Sequence, residues 1–175
     1  ILKAANIDFS VEVSPYIEED DPNLTAIQLA EVHAKGKVES IAEKHSNNII
    51  IGVDTIVTLD HHIIQKPKSK EEAFKLIKLQ QGNTVEVISG LFVFDTSTKK
   101  SFHTHVKTNV HFQEMSDNEI DKYIETGEYK DKSGGFSVQG IGSKFIKGVE
   151  GDFLSVLGLP LNSIYNSLKK WGYEI

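Results

Sequence analysis

Two residue types are missing from this 175-residue chain: cysteine and arginine. Without cysteine there is no disulfide, no thiolate metal site and no cysteine nucleophile, a pattern that suits a reducing compartment. Without arginine, all 19 basic residues are lysines. The planar bidentate grip of a guanidinium on phosphate is therefore excluded, and an anion must be held by ammonium groups, backbone N–H groups or a metal. No apolar run approaches the roughly 20 residues of a bilayer span, and no stretch reads as a secretion signal. The expectation is a cytoplasmic protein with no membrane partner. The net charge of −6 speaks against a nucleic-acid polymer as partner, because neutralising phosphates supplies most of such affinity.

What is present is ordinary for a globular chain, with 39% hydrophobic and 25% charged residues. A chain this long buries about two thirds of its unfolded surface and needs no staple. One domain is expected, either simple or with two lobes around a cleft. Residues 7–13 alternate apolar and polar and predict a strand. Residues 14–23 are a loop with four successive acids, Glu18 to Asp21, a pattern that by itself describes solvated surface. A helical stripe follows over 25–45, with Lys37 beside it and its stem free to cover apolar neighbours.

Residues 48–59 form a nearly continuous apolar run, Ile49-Ile50-Ile51-Gly52-Val53-Asp54-Thr55-Ile56-Val57, which reads as a strand buried on both faces. Asp54 interrupts it. A lone carboxylate there costs several kcal/mol unless it is paired, metal-bound or protonated. Gly52 would let something approach the backbone. Helices are expected over 70–81, behind the capping box Ser69-Lys70-Glu71-Glu72, after Ser116-Asp117-Asn118-Glu119, and after Pro160. Strands are expected over 84–95, with a break at Ser89-Gly90, over 101–113, and over 144–150. In the 101–113 strand one face carries His103, His105, Lys107, Asn109 and His111. His-x-His can bind a metal, but without a nearby acid this set reads as an exposed sheet face. The glycine-rich stretch 131–142 reads equally as a ligand cradle or as a tight loop. It matches neither phosphate-binding fingerprint of the dinucleotide or P-loop type. The fold class expected is α/β, with a mixed twisted sheet and flanking helices.

Carboxylates at 19 and 54, lysines at 37 and 66 and a glycine-rich loop suit metal-assisted hydrolysis of a phosphate anhydride. That chemistry asks for charge neutralisation and positioning more than for covalent help. Carboxylates hold Mg²⁺ or Mn²⁺, lysines offset phosphate charge, and one carboxylate deprotonates or orients a water.

Several motifs, in order and over nearly the whole chain, resemble those of the Maf family of nucleoside triphosphate pyrophosphatases. Gly52-Val53-Asp54-Thr55 and Lys66-Pro67 are similar to its Gly-Ala-Asp-Thr and Lys-Pro elements. Asp131-Lys132-Ser133-Gly134-Gly135-Phe136-Ser137-Val138-Gln139-Gly140 is similar to its Asp-Lys-Ala-Gly-x-Tyr-x-Ile-Gln-Gly. Glu150-Gly151-Asp152-Phe153 and Gly158-Leu159-Pro160-Leu161 resemble its closing motifs. Glu86 before Ser89-Gly90, Ala34-Lys35-Gly36-Lys37, and Ile17-Glu18-Glu19 fit its remaining elements.

The resemblance implies one Maf-like domain over 1–175, with two lobes around a nucleotide-binding cleft. It implies cleavage between the α and β phosphates. Asp54 is implied as proton acceptor, Glu19, Lys37 and Lys66 around the phosphates and metal, and Asp54 and Glu19 as ligands of Mg²⁺ or Mn²⁺. Thr55, Gln139, Glu86 and Lys132 are implied as substrate-binding, and a homodimer as the assembly. Gln139 points to the dTTP/UTP branch, since the 7-methyl-GTP branch carries Ser-Glu-Gly there. An amide also suits the donor and acceptor edge of uracil or thymine. Phe136 and Phe153 stand where tyrosine is usual. The family's opening Ser-x-Ser-x-Arg-Arg loop has no counterpart in the sequence, so a preceding strand and phosphate loop are expected to be missing from it. Two other readings compete. One is a nucleotide-binding or cell-division regulatory module with weak or no catalysis, which would be expected to lose Asp54 or the lysines. The other is a pyrophosphatase for damaged purines such as ITP.

Overall fold

The longest apolar runs of the sequence become the strands of one sheet. The computed structural model describes residues 1–174. After a 3₁₀ turn at Lys3–Ala5, the elements are α1 (Ala26–Ala42), β1 (Ile49–Leu59), β2 (His62–Ile64), α2 (Lys70–Gln80), β3 (Thr84–Asp95), β4 (Ser101–Phe112), α3 (Asp117–Glu125), β5 (Ile146–Glu150), α4 (Phe153–Val156) and α5 (Leu161–Lys170). The sheet order is β2-β1-β3-β4-β5. The α/β class is as expected, but the sheet is antiparallel rather than mixed. Short reversals produce this: Val57 pairs with Ile64 and Leu59 with His62 around a two-residue turn, and β3 returns as β4 through residues 96–100, where Asp95 N–H donates to the Lys100 carbonyl. Tight connections of this kind favour antiparallel neighbours.

Helix starts follow the local signals. Thr25 and Gln28 cap α1 reciprocally, each accepting the other's backbone N–H. The Ser69 hydroxyl accepts from Glu72 N–H at the start of α2. The Glu119 carboxylate accepts from Ser116 N–H at 2.8 Å before α3.

The chain divides into two compact units: residues 1–54, 89–106 and 158–175, and residues 55–88 and 107–157. In the first unit, Ala34, Val38 and Ile41 of α1 pack on Ile50 and Phe92. There Ile164 and Leu168 of α5 pack on Leu91 and Val93. In the second unit, α2 and α3 supply Ala73, Ile77, Ile120 and Tyr123 to a cluster with Val57, Val85, Val110, Phe112 and Phe136.

Three expectations about individual elements change. Residues 7–21 form neither helix nor strand. The alternation at 7–13 favours an extended backbone, but a strand also needs a ladder partner, and Val11 and Val13 stand 82% and 89% exposed. The strand expected over 144–150 starts at Ile146, because Gly140–Phe145 is taken up by 3₁₀ turns. β3 runs unbroken through Ser89-Gly90.

Candidate active site

The first group of interest is built by close approach of a helix to two strands. A Cβ added to Gly52 of β1 would collide with the Ala34 carbonyl, and one added to Gly90 of β3 with the Ala30 carbonyl. Ala30 and Ala34 are one turn apart on α1 and fully buried. The small residues at all four positions let the helix lie directly on the strand backbones. The approach that Gly52 permits is therefore that of α1. Three residues beyond Ala34, Lys37 reaches β1. Its Nζ donates to Asp54 Oδ1 at 2.7 Å and to the Val53 carbonyl at 3.3 Å. Glu18 Oε1 lies 2.7 Å from the same nitrogen.

Asp54 meets the condition for a carboxylate in a buried strand: its side chain is 11% exposed and ion-paired. Burial pulls the Lys37 pKa down, but its hydrogen bonds to Asp54 and Glu18 and their charges outweigh it, and the net direction is upward. Lys37 is thus a permanent cation at neutral pH, unsuited to act as a base. Two carboxylates around one ammonium leave the trio one negative charge in surplus. Hard carboxylate oxygens of this kind fit a small divalent cation. Among the described residues no three or more His, Asp or Glu are grouped as a metal cage.

Of the predicted residues, the structure brings Lys37 and Asp54 together and adds Glu18, which sequence reasoning placed only in the acidic run. Glu19 is exposed and forms no ion pair among the described residues.

In the second unit the glycine-rich stretch is held by neutral dipoles and one carboxylate. Gln80, 1% exposed, donates from Nε2 to the Gly134 carbonyl at 2.6 Å, and Gly134 N–H donates to the Gln65 carbonyl. The Tyr123 hydroxyl accepts from Ser137 N–H at 3.0 Å, and its burial raises its pKa. Glu128 accepts from Ile141 N–H at 3.0 Å and Gly142 N–H at 2.8 Å. Phe136 is buried, with ring centroids 4.6 Å from Phe112 and 4.9 Å from Tyr123, so an apolar ring suits that position. Gln139 and Lys132 are exposed on this loop, as is Lys66 just before Pro67. The Ser133 hydroxyl donates to the Thr55 carbonyl at 3.4 Å. Glu86 pairs with Lys107 at 2.7 Å. Lys107 carried a signal, its place in the polar alternation of β4. Gln80 and Glu128 carried none. On β4, His103 and His105 are exposed, and His105 Nδ1 lies 2.8 Å from Glu31 Oε1.

Comparison with known proteins adds an independent line. Residues 1–171 match the family described as "Maf-like protein". A dTTP/UTP pyrophosphatase of Desulforamulus reducens is 38% identical over 175 residues, covering all of this chain and 92% of the relative. One of Dictyoglomus turgidum is 36% identical over 177 residues, covering 100% and 91%. One of Clostridium botulinum (strain Alaska E43 / Type E3) is 42% identical over 165 residues, covering 93% and 88%.

Proposed function

This chain belongs to the Maf family, and from that premise we propose that it hydrolyses nucleoside triphosphates, dTTP and UTP foremost, to the monophosphate and pyrophosphate. Water attacks the α-phosphorus, the bridging oxygen to the β-phosphorus leaves with pyrophosphate, and the water's proton passes to Asp54. The observation that carries the reading is the Lys37 ammonium held between the Asp54 and Glu18 carboxylates. Asp54 Oδ1 is engaged by Lys37, and Oδ2 is the oxygen offered to the water. Lys37 stays charged and offsets the negative charge that grows in the transition state.

A divalent cation, Mg²⁺ or Mn²⁺, would be held by Asp54 and a carboxylate of the acidic segment, Glu19 being exposed and without an ion pair among the described residues. It would supply charge neutralisation at the phosphates. In the second unit, Lys66 and Lys132 contact phosphate oxygens, and Thr55, Glu86 and Gln139 contact the nucleoside. Gln139, exposed on a loop pinned by Glu128, offers both a donor and an acceptor to a pyrimidine edge. A regulatory module without catalysis has no need of a carboxylate placed in a largely buried strand and ion-paired there, whose desolvation is costly, and that reading is not favoured. Among the described residues no helix is long and apolar enough to cross a membrane.

The test is product analysis with a panel of dTTP, UTP, CTP, ATP, GTP and ITP, with Mg²⁺, with Mn²⁺ and with excess chelator. Pyrophosphate and monophosphate in equal amounts, fastest from dTTP and UTP and lost with chelator, are expected. Release of orthophosphate, or turnover undiminished by chelator, would refute the mechanism.

A further inference from the structure

The acidic segment before α1 is irregular in secondary structure but regular in how it docks. From Ser14 to Asp20, every second residue reaches α1. Ser14 Oγ lies 2.7 Å from Ser40 Oγ. The Tyr16 hydroxyl lies 3.1 Å from His33 Nδ1. Glu18 meets Lys37 at 2.7 Å, and Asp20 Oδ1 lies 3.4 Å from His33 Nε2. The residues between, Pro15, Ile17 and Glu19, are exposed, while the Glu18 and Asp20 side chains reach the helix and remain 42% and 52% exposed. An extended chain presents alternate side chains to opposite sides, and His33, Lys37 and Ser40 recur at spacings that share one helix face. The segment is therefore a strap lying along α1 with its even-numbered edge inward. Gly36 makes room for it, since a Cβ there would collide with the Tyr16 ring.

His33 is 2% exposed, and its two ring nitrogens face Tyr16 and Asp20, the residues two before and two after Glu18. We propose that His33 is a positioning residue, clasping Tyr16 and Asp20 so that Glu18 is held against Lys37 and the Lys37–Asp54 pair is set in one geometry. The inference rests on the reading that Lys37 and Asp54 belong to the reactive centre. Held at both ends, Glu18 has no need to search for the ammonium, and the ordering cost of the ion pair is met in advance by neighbours that touch no substrate.

Three variants test the clasp. Tyr16→Phe deletes one hydroxyl, His33→Leu removes both ring nitrogens, and His33→Asn restores a polar group near the Nδ1 position. A glutamate-specific protease under native conditions reads the strap directly by its cleavage after Glu19. Cleavage at least about tenfold faster in Tyr16→Phe and His33→Leu, with partial recovery in His33→Asn and unchanged melting of the remainder, is expected, because protease attack tracks the population of the opened segment. Cleavage rates equal to wild type would overturn the clasp, and this arm is decided even for a protein that hydrolyses no triphosphate. The second arm is a double-mutant cycle on kcat with Glu18→Gln. His33→Leu and Glu18→Gln should each lower kcat about tenfold with KM little changed, and the double variant should be no worse than the poorer single one. Losses that multiply to about a hundredfold would show that His33 does not act through Glu18.

Discussion

The two units hold their candidate residues by different forces. In the first, formal charges lie in contact: Lys37 sits 2.7 Å from both Asp54 and Glu18. The geometry depends on a helix pressed onto Gly52 and Gly90. In the second, the loop over 131–142 is positioned mostly by backbone groups answering Gln80, Tyr123 and Glu128, and its exposed side chains are left to face outward. Charge in contact is sensitive to the loss of one partner, because the remaining ion stays partly desolvated. A loop pinned through its backbone tolerates side-chain exchange at its exposed positions. Chemistry and selectivity should therefore separate by unit, with changes in the first acting on kcat and changes in the second on the choice of nucleotide.

The strongest break of this contrast is at Asp54. Asp54→Asn keeps the shape and removes the proposed proton acceptor, and kcat should fall about 10²-fold or more, as for a general base, with the fold retained at a somewhat lowered melting temperature, since Lys37 keeps Glu18 as its one anionic partner. Steady-state kinetics beside thermal denaturation reads both, and near-normal turnover would end the assignment. Gly52→Ala probes the same trio without touching its charges. The added Cβ meets the Ala34 carbonyl and Val38, so α1 must shift and carry Lys37 with it. Overpacking of this kind costs about 1–3 kcal/mol, and misplacement should lower kcat about tenfold. A variant with lost stability and intact kcat would mean that the close approach serves packing alone.

A gentler change sharpens the second side of the comparison. Gln139→Glu replaces an amide by a carboxylate that only accepts when ionised. The ratio of kcat/KM for UTP against 7-methyl-GTP should fall at least about fivefold while folding is unaffected, since unpaired polar groups discriminate strongly. A ratio constant within about twofold would remove Gln139 from base selection. The smallest effect on activity is expected at Asp95, a structural charge in the first unit. It is 1% exposed and accepts from Ser97, Thr98 and Tyr173, whose hydroxyls hold its pKa well below the ordinary carboxylate range. A depressed pKa means stability that is present above the unfolded value, about 3.9, and lost as pH falls through the folded one. Asp95→Asn should melt several degrees lower at pH 7 with kcat unchanged, and the gap should close progressively below pH 4. A gap independent of pH would point to packing instead of charge.

Much of this was legible in the residues themselves. An acid interrupting Ile49 to Val57 announces a paired or reactive carboxylate because the burial of the flanking side chains is itself readable. Lys37 could be placed on the apolar side of its helix from periodicity alone. Which of two adjacent glutamates meets that lysine could not, because it depends on the phase in which the strap lies on α1. That phase is set by His33 and Gly36, far along the chain from Glu18. Alternation at 7–13 likewise states how side chains point and not whether a neighbouring strand is there to pair. The direction of the sheet followed from turn lengths at 60–61 and 96–100, which local propensity leaves open.

A sequence with 19 lysines, 7 histidines and no arginine has a practical side. All of its strongly basic side chains fall within reach of one class of acylating reagent, with no guanidinium among them to keep a positive charge. Acylation proceeds through the neutral amine, so the lysine whose proton is held most tightly reacts last. Lys37, half-buried and bound by two carboxylates, would be the slow member of the set, and the exposed Lys66 and Lys132 the fast ones. The order in which amines are consumed thus becomes a map of the site's electrostatics, written in reaction rates.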